Sequence, residues 1–458
     1  MIRYIMDNLT KYIGNIQLWI IMKGKNMVIK RHFKKLITTT LVGITVLTPI
    51  NKLSYAQSKN LIFNNINIEQ GISQSTIEDI FQDSEGYIWL GTNDGLNRYN
   101  GYEFKIYNYE EYQNSISHNG ITDITEDKYG NIWVNTVSGV NKINKKTEKI
   151  SNYTEINGKI KEDSTTEIIV TKDNNILVGT YEGLNIYNAK EDRFDIILEQ
   201  KDGILSSCIY SIDEDINGNI WIGTELGLNK LSKDFKVLET YTSESEIYNI
   251  FCDDENGFVW AGSDSSGLLK IDTKTKEVTQ YINDIEDENS IPANQVGAII
   301  RDSKGNLWVG TTNGLARYNE KNDSFDVYKN KVYDKNSLVY NDVRSIIEDR
   351  EGVLWVGTYS GISIFDTESS IKYYNAGLDD GYLLSENMVH GIYEDDEGYL
   401  WIGSRTKGVN IIDRENNTSK SINMENNNVI QSNSINDITG YKDFIFVATD
   451  AGVLKINK

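Results

Sequence analysis

The chain has few of the residues on which many enzymes and small secreted proteins depend: two cysteines, two prolines and three histidines among 458 residues. The chain contains repeat units, and Cys208 and Cys252 stand at opposite ends of the first predicted strand in two successive units. We therefore expect no disulfide between them. After the first 56 residues the histidines are His118 and His390, and neither has a partner at metal-ligand spacing. Neither a phosphate-binding glycine loop nor a Gly-x-Ser-x-Gly turn occurs. The sequence therefore predicts no cofactor, no metal site and no catalytic residue.

What the chain does contain is a repeated seven-residue phrase, Asp-x-x-Gly-x-apolar-Trp, as at 83–89 and 302–308. The Trp position recurs at 89, 133, 177, 221, 260, 308, 355, 401 and 446, with Leu177 and Phe446 replacing Trp. Successive steps are 39 to 48 residues. A period of about 45 residues fits four short strands and their turns, which is the unit of a β-propeller blade.

Each unit is predicted to be all-β. An apolar stretch ends in acidic residues, a turn closes on Gly, the segment Trp-x-Gly-Thr follows, and a second apolar stretch comes after another Gly. Asp, Asn and Gly between β-branched and aromatic runs are typical of turns. Trp and Gly of Trp-x-Gly-Thr lie on one face of their strand, and the intervening residue and Thr lie on the other. Since propeller blades cover each other, we expect both faces to be buried and the Trp side chains to be core rather than ligand-stacking residues.

The predicted fold is therefore a β-propeller of about nine four-stranded blade units. Residues 61–68 resemble an outermost fourth strand without three preceding strands, and the last unit has three strands without a fourth. Two closures fit this pattern. In one closed nine-unit ring, 61–68 pair with 453–457. In a seven-bladed propeller plus a partial second one, 61–68 complete the seventh blade, and we expect their pairing near 372–375.

The formal net charge is −21, and it is unevenly distributed. Residues 1–56 hold nine Lys or Arg and one Asp, a charge of +8, so the remainder carries −21 − 8 = −29. Such an acidic body predicts no binding to nucleic acid or to an anionic membrane surface. A solvated acidic surface is the favoured interpretation, and attraction of cationic or metal-bearing ligands is the alternative.

Residues 1–56 are predicted to be a leader and 57–458 the propeller region. Within 27–56, a basic segment (30–35), an apolar run (36–50) and a small-x-small pattern ending at Ala56 are typical of a cleaved signal peptide. The apolar run is shorter than the roughly 20 residues of a membrane helix. We expect an extracytoplasmic protein, associated with a membrane only through an uncleaved leader or a missing C-terminal part.

Two acidic patterns resemble functional motifs. Residues 213–218 match the first half of a calcium-binding loop, but the twelfth position is Thr224, and other units form a turn at this point. A hairpin turn is therefore the favoured interpretation. The repeated phrase also resembles the Asp-box of sialidase-like propellers, yet its Asp stands three residues before Gly instead of two.

The full repeat, Asp-x-x-Gly-x-apolar-Trp-x-Gly-Thr-x-x-Gly-Leu-x-Arg-Tyr, resembles the two-component regulator propeller repeat, and 69–75 followed by 81–101 is similar to that family's usual first repeat. The resemblance covers 61–458. It implies the extracytoplasmic sensor half of a membrane protein coupled to a histidine kinase or a diguanylate cyclase. It also implies arrays of about fourteen repeats in two seven-bladed propellers. This favours the seven-bladed closure. It also favours the interpretation that the chain is the front part of a longer receptor over the interpretation that it is a soluble descendant of one.

We therefore expect a non-catalytic sensor that binds a small polar or oligosaccharide ligand at the axial mouth, where loops of several blades converge. A secreted propeller glycoside hydrolase or lyase, or a protein-binding scaffold, are the alternatives. No kinase or cyclase activity is predicted for these residues. The candidate ligand-binding residues lie in the loops between second and third strands: Asn93, Asp94, Tyr181, Glu182, Glu225, Asp264, Asn313, Tyr359, Arg405 and Lys407.

Overall fold

The computed structural model describes residues 61–111, 113–367, 374, 376, 384–414 and 418–457. The predicted leader, 1–56, lies outside the described residues. The described residues form antiparallel sheets with two short 3-10 turns, Ile68–Gln70 and Gln200–Asp202. None of their helices is long and apolar enough to span a bilayer. The prediction of an all-β propeller is confirmed.

The first strand, β1 (Asn64–Ile66), is followed by six sheets of four strands, each strand pairing with the next along the chain. The first three sheets are β2 (Ile77–Gln82), β3 (Ile88–Thr92), β4 (Gly95–Tyr99), β5 (Phe104–Tyr107); β6 (Ile121–Glu126), β7 (Asn131–Thr136), β8 (Gly139–Asn144), β9 (Ile150–Tyr153); and β10 (Thr165–Val170), β11 (Ile176–Thr180), β12 (Gly183–Asn188), β13 (Arg193–Leu198). The next three are β14 (Ile209–Glu214), β15 (Ile220–Thr224), β16 (Gly227–Leu231), β17 (Val237–Thr242); β18 (Ile247–Asp253), β19 (Phe258–Ser263), β20 (Leu268–Asp272), β21 (Val278–Tyr281); and β22 (Val296–Arg301), β23 (Leu307–Thr311), β24 (Gly314–Asn319), β25 (Ser324–Tyr328).

The seventh sheet closes a ring. It consists of β26 (Val343–Glu348), β27 (Leu354–Thr358) and β28 (Gly361–Phe365), with β1 as its outer strand. β1 is antiparallel to β28, with Asn64 opposite Ile364 and Ile66 opposite Ile362. The seven-bladed closure is therefore the observed one. Our expected partner near 372–375 is wrong, because β1 replaces the fourth strand and so pairs directly with the third.

Two further sheets follow the ring. The eighth is β29 (Val389–Glu394), β30 (Leu400–Ser404), β31 (Val409–Asp413) and β32 (Thr418–Ile422), and the ninth is β33 (Ile435–Tyr441), β34 (Phe444–Thr449) and β35 (Gly452–Asn457). The ninth has the three strands that the sequence predicts. The two sheets pack on each other through a core that includes Trp401, Ile435 and Ile438.

The Gly of Trp-x-Gly-Thr marks the closest approach between blades. A Cβ on Gly91 would lie 2.8 Å from Cγ2 of Ile121 in the second blade. A Cβ on Gly357 of the seventh blade would lie 2.8 Å from Cγ2 of Ile77 in the first, so the closing junction has the same packing. Since real Cβ contacts are not this short, any larger residue here would push neighbouring blades apart.

The Asp of the phrase fixes both the turn and the Trp. Asp83 accepts hydrogen bonds from the backbone N–H groups of Glu85 and Tyr87 and from Nε1 of Trp89, at 2.9, 3.0 and 2.9 Å. Trp89 is fully buried, so this bond satisfies a donor that would otherwise lie unpaired in the core. The same Asp-to-Trp bond occurs at Trp133, Trp260, Trp308, Trp355 and Trp401.

Candidate ligand-binding channel

The inner strands of the seven ring blades surround a central cavity of about 280 Å³. Each inner strand has a register shift near its start. Its second and third residues, with one exception at Ser211, both line the cavity. The second residues are Glu78, Thr122, Thr166, Tyr210, Tyr248, Gly297 and Arg344. The third residues are Asp79, Asp123, Glu167, Ser211, Asn249, Ala298 and Ser345.

The fourth residue of every ring inner strand is a buried isoleucine that belongs to the packing between blades. The chain thus keeps isoleucine at the fourth position and varies the second and third positions that line the cavity, although Ile299 and Ile346 of the constant set also border it. A packed frame with a chemically varied lining is typical of a binding site. The seven isoleucines are Ile80, Ile124, Ile168, Ile212, Ile250, Ile299 and Ile346.

Acidic side chains of the third residues link neighbouring blades. The inner edge of each first strand has no further strand to pair with, so its N–H groups need other acceptors. Backbone N–H groups of the next blade donate to these carboxylates: Ile124 to Asp79 at 3.0 Å, Ile168 to Asp123 at 2.6 Å and Ile212 to Glu167 at 3.0 Å. At the closing junction, the Ile80 N–H donates to Oγ of Ser345 at 3.1 Å.

Burial raises the pKa values of these carboxyls. Desolvation is the largest cause at each site and outweighs the backbone hydrogen bonds that favour the charged form. It raises the pKa of Asp79 to about 6, and the pKa values of Asp123 and Glu167 lie well above the ordinary range. The like charges of Asp79 and Asp123 also oppose the ionisation of both groups together. The channel therefore concentrates carboxyl groups whose ionisation is opposed by burial.

Three tyrosines form an arc at the channel mouth over the third, fourth and fifth blades. The rings of Tyr181 and Tyr210 are 6.0 Å apart at 67°, and those of Tyr210 and Tyr248 are 5.1 Å apart at 80°. Both pairs are edge-to-face, a favourable arrangement for aromatic quadrupoles. Tyr181 and Tyr248 are 49% and 37% exposed, so the arc presents aromatic surface to a solute entering the mouth.

Across the channel, Arg344 of the seventh blade pairs with Glu78 of the first. Its Nη1 lies 2.8 and 2.6 Å from the two carboxylate oxygens of Glu78, and its Nη2 lies 3.3 Å from Asp342. The guanidinium also stacks over Tyr359, 5.3 Å from the ring centre. This pair bridges the junction at which the ring closes.

Three polar atoms of lining residues are buried without a hydrogen-bond partner among the described residues: Oγ1 of Thr122, Oδ1 of Asn249 and Nε of Arg344. Unpaired buried polar atoms are uncommon, because each one costs free energy that a partner would recover. Their presence around one cavity indicates a place where a polar solute could complete the hydrogen bonding.

The predicted candidate residues divide into two groups. Arg405 and Lys407 lie in the eighth sheet, outside the ring. The other eight lie at the mouth of the ring, in the loops between second and third strands. Asn93 donates to Glu78 at 3.0 Å, and Tyr359 lies beneath Arg344, so both touch the charged pair. Several others contact neighbouring loops: Asp94 with Asn119, Glu182 with Lys161, Glu225 with Ser206, Asp264 with Gln295, and Asn313 with Pro292.

The lining residues on the inner strands themselves were not among the predicted site residues. The signal available was the variation at the second and third positions, where Glu-Asp, Thr-Asp, Tyr-Ser, Tyr-Asn and Arg-Ser precede a constant Ile. An alternating strand would place only one of these two residues on the cavity side. The register shift brings both to it.

The calcium-like segment is a hairpin turn, as predicted. Asp215 accepts from the N–H groups of Asn217 and Asn219 at 3.0 and 2.9 Å. Asp213 instead accepts from the Cys252 N–H at 2.7 Å in the next blade, so the two carboxylates serve different partners. In the described part of the chain, no three His, Cys, Asp or Glu side chains are grouped as a metal ion would require.

Part of the chain is similar to a known family of repeats. Six segments match the family described as "Two component regulator propeller": 71–94, 115–138, 203–225, 290–313, 337–360 and 383–406. Each runs from the loop before an inner strand to the loop after the second strand. A stretch of 52 residues is 48% identical to "Histidine kinase P4" of Formosa agariphila, covering 11% of this chain and 4% of that protein.

Solved structures agree on the fold. The chain resembles a crystal structure described as the extracellular domain of a hybrid two-component system, BT3049 of B. thetaiotaomicron, with a TM-score of 0.73, 23% identity and coverage of 87% of this chain. It spans 53% of that domain, about half its length. A streptogramin B lyase aligns with a TM-score of 0.51 at 14% identity, over 66% of this chain and 97% of the lyase. The chain has the β-propeller fold, and six of its segments match two-component regulator propeller repeats.

Proposed function

We propose that this chain is the ligand-binding sensor region of an extracytoplasmic signal-transduction receptor, and that it is not an enzyme. Its ligand is a small polar molecule or an oligosaccharide, bound at the mouth of the ring channel. The match of six segments to two-component regulator propeller repeats supports the sensor role. The predicted signal peptide supports the extracytoplasmic location.

The observation that carries the proposal is the contrast between the constant frame and the varied lining of the ring. Tyrosines, carboxylates and a guanidinium converge from different blades on one cavity, and three of the polar atoms there have no hydrogen-bond partner within the described part of the chain. Binding sites combine apolar surface with a few placed polar groups in this way. A protein-binding scaffold would need no such polar cavity.

Purified protein is titrated by calorimetry with a panel of mono- and oligosaccharides, amino acids and small amines, and each mixture is then analysed for products. We expect at least one compound to bind without turnover. Tyr210→Ala removes the central ring of the arc, and we expect roughly tenfold weaker binding, because central aromatic anchors dominate such sites. Tyr102→Ala is the matched control, since Tyr102 is 96% exposed and outside the channel.

Product formation from any panel member would contradict the non-catalytic role and favour the glycoside hydrolase or lyase alternative. Binding that Tyr210→Ala leaves unchanged would contradict the location of the site. The extracytoplasmic location has its own test: fractionation of the native host should recover a mature protein that begins near Gln57 outside the cytoplasm, and a cytoplasmic precursor alone would contradict it.

A further inference from the structure

We propose that the ring channel binds a small organic cation, a ligand whose ammonium group enters the cavity between the tyrosine arc and the buried carboxylates. This inference rests on the proposed function, because it names the chemical class of the ligand at the same site. Four features of the channel support it. They are the shape of the arc, the acidic groups of the mouth and lining, the pairing of the Arg344 guanidinium with carboxylates, and the acceptor atoms that have no donor among the described residues.

The shape of the arc suits a cation. Because Tyr181, Tyr210 and Tyr248 meet edge to face, at 67° and 80°, they form the walls of a corner and not a flat platform. A flat aromatic surface favours stacking of a planar group or of one face of a sugar. A corner of electron-rich rings surrounds a compact positive group, as in the aromatic cages that recognise ammonium ligands.

Acidic groups surround the arc. Burial raises the pKa of Tyr210 to about 12, with a further contribution from the nearby Glu246 carboxylate. Burial also raises the pKa of Tyr248, and the charges of Asp264 and Glu246 add to that shift. The phenols therefore stay protonated and neutral, while the carboxylates give the mouth a negative potential that attracts a cation.

The cavity lining itself carries an excess of acid. Its ionisable side chains include four carboxyls, those of Glu78, Asp79, Asp123 and Glu167, against the guanidinium of Arg344. That guanidinium is already neutralised by the two-pronged pair with Glu78 and by Asp342. It thus offers no free positive charge to an anionic ligand, and its Nε, which has no acceptor among the residues that the structure describes, could donate to a neutral oxygen.

The carboxyls and the unpaired oxygens are complementary to an ammonium group. Burial opposes the ionisation of Asp79, Asp123 and Glu167, and a cation inside the cavity would replace the hydration that they have lost. Oγ1 of Thr122 and Oδ1 of Asn249 have no donor among the described residues, and an N–H group can supply one. The cavity of about 280 Å³ is at the lower end of ligand sites, which fits a small molecule.

The test uses three sugars that differ at one position. Glucosamine carries an ammonium group, N-acetylglucosamine carries a neutral amide at the same carbon, and glucose carries a hydroxyl. Putrescine and galacturonate serve as a sugar-free cation and an anionic sugar. We expect calorimetry on the purified chain at pH 7.5 to give glucosamine and putrescine at least tenfold higher affinity than the neutral and anionic sugars.

Two variants locate the binding. Tyr248→Ala removes one wall of the arc, and Glu167→Gln removes the ionisable carboxyl while its amide oxygen can still accept from the Ile212 N–H. We expect each to weaken binding of the two amines about tenfold. Tyr102→Ala and Glu255→Gln, at exposed positions outside the cavity lining, are the matched controls and should bind as the unchanged protein does. Thermal melting of every variant verifies that it is folded.

The outcomes separate the two proposals. Equal or tighter binding of a neutral or anionic sugar that Tyr248→Ala weakens would overturn the cation inference and leave the proposed ligand site standing. Amine binding that neither channel variant weakens would overturn the inference, since it would be nonspecific attraction to the acidic surface. An absence of binding by all five probes would overturn the cation inference, and a failure of the wider panel as well would overturn the proposed function.

Discussion

The seven-bladed ring and the last two sheets are built from the same repeat, but their equivalent residues are in different surroundings. Ile80 of the first blade is 2% exposed because the seventh blade covers it, whereas Ile392, at the same position of the eighth sheet, is 62% exposed. In the ninth sheet, Ile438 is again buried, since the eighth sheet packs against it. The repeat therefore encodes a sheet, and the neighbouring blade determines whether its face is core.

The outer edges differ in the same way. β28 has β1 beside it, so all of the ring's third strands have an outer partner. β35 has no such partner among the described residues, and its Val453 is 70% exposed. Phe446 takes the Trp position of the ninth sheet, where Lys455 lies 6.0 Å from its ring centre. Trp133 in the ring also has a lysine over its ring, Lys142, yet it is fully buried, whereas Phe446 is only half-buried, so the lysine does not replace a covering blade.

Trp308→Ala and Trp401→Ala should separate the stabilities of the two regions. Trp308 is fully buried within the ring, so its truncation should cost about 3–5 kcal/mol of the free energy of unfolding of the ring. Trp401 packs between the eighth and ninth sheets, and its truncation should destabilise those sheets alone. Hydrogen exchange followed by mass spectrometry reports on each region separately.

We expect faster exchange across peptides from 77–365 in Trp308→Ala, and faster exchange only within 384–457 in Trp401→Ala. If Trp401→Ala accelerated exchange throughout the ring to a similar degree, the two regions would unfold as one cooperative unit. The ring and the last two sheets would then differ in burial without differing in stability.

The second prediction compares two turns within the ring. Asp302→Ala removes the acceptor for Nε1 of Trp308 at 2.8 Å and for the N–H groups of Lys304 and Asn306. A buried donor left unpaired costs about 1–3 kcal/mol. Asp215 serves its turn in the same way, but Nε1 of Trp221 has no partner among the described residues. We therefore expect Asp215→Ala to cost about 1 kcal/mol less than Asp302→Ala, as measured by urea unfolding.

If Asp302→Ala and Asp215→Ala lowered the free energy of unfolding equally, the turn N–H groups, and not the indole, would account for the destabilisation. Asp302→Asn is a useful control, because its amide oxygen can still accept one of these bonds while the charge is lost. Its free energy of unfolding should lie between that of Asp302→Ala and that of the unchanged protein.

The sequence predicted most of the ring because the determinants of a blade are local. The spacing from Asp83 to Trp89 specifies a turn and its indole bond, and Gly91 specifies close approach of a neighbour. The number of blades that close the ring is not determined by a local sequence feature, because it depends on the small angle between successive sheets. For that reason 61–68 could be identified as an outer strand, whereas its partner β28 could not.

The binding site was less predictable for a related reason. The loop residues Tyr181 and Tyr359 could be placed at the mouth from strand order alone. The inner-strand residues could not, because the register shift after Ile77 and its equivalents turns two successive side chains toward the axis. Which of these side chains meet across the channel depends on ring size. The pairing of Arg344 with Glu78, 266 residues apart, is visible only in the closed ring.

The third prediction has the smallest effect and concerns pH. The pKa of Asp79 is raised by burial from 3.8 to about 6, so between these values the folded chain holds a proton that the unfolded chain has lost. Asp79 thus lowers the free energy of unfolding progressively as pH rises through this window, and the loss persists above it. The groups that face Asp79 are Ser345, Asp123 and, more remotely, Glu167.

Asp79→Asn stays neutral at every pH and retains an oxygen that can accept from the Ile124 N–H. Relative to the unchanged protein, it should therefore gain stability between pH 4.5 and pH 7.5, on the order of 1 kcal/mol. Urea unfolding at several pH values measures this difference, and Asp450→Asn, at a site in the ninth sheet where the pKa is lowered, should show no such gain. Parallel stability curves for Asp79→Asn and the unchanged protein would mean that Asp79 ionises in the folded ring as it does in the unfolded chain. Asp79 would then be electrostatically no different from a solvated acid of the last two sheets, and its burial would not distinguish the channel from them.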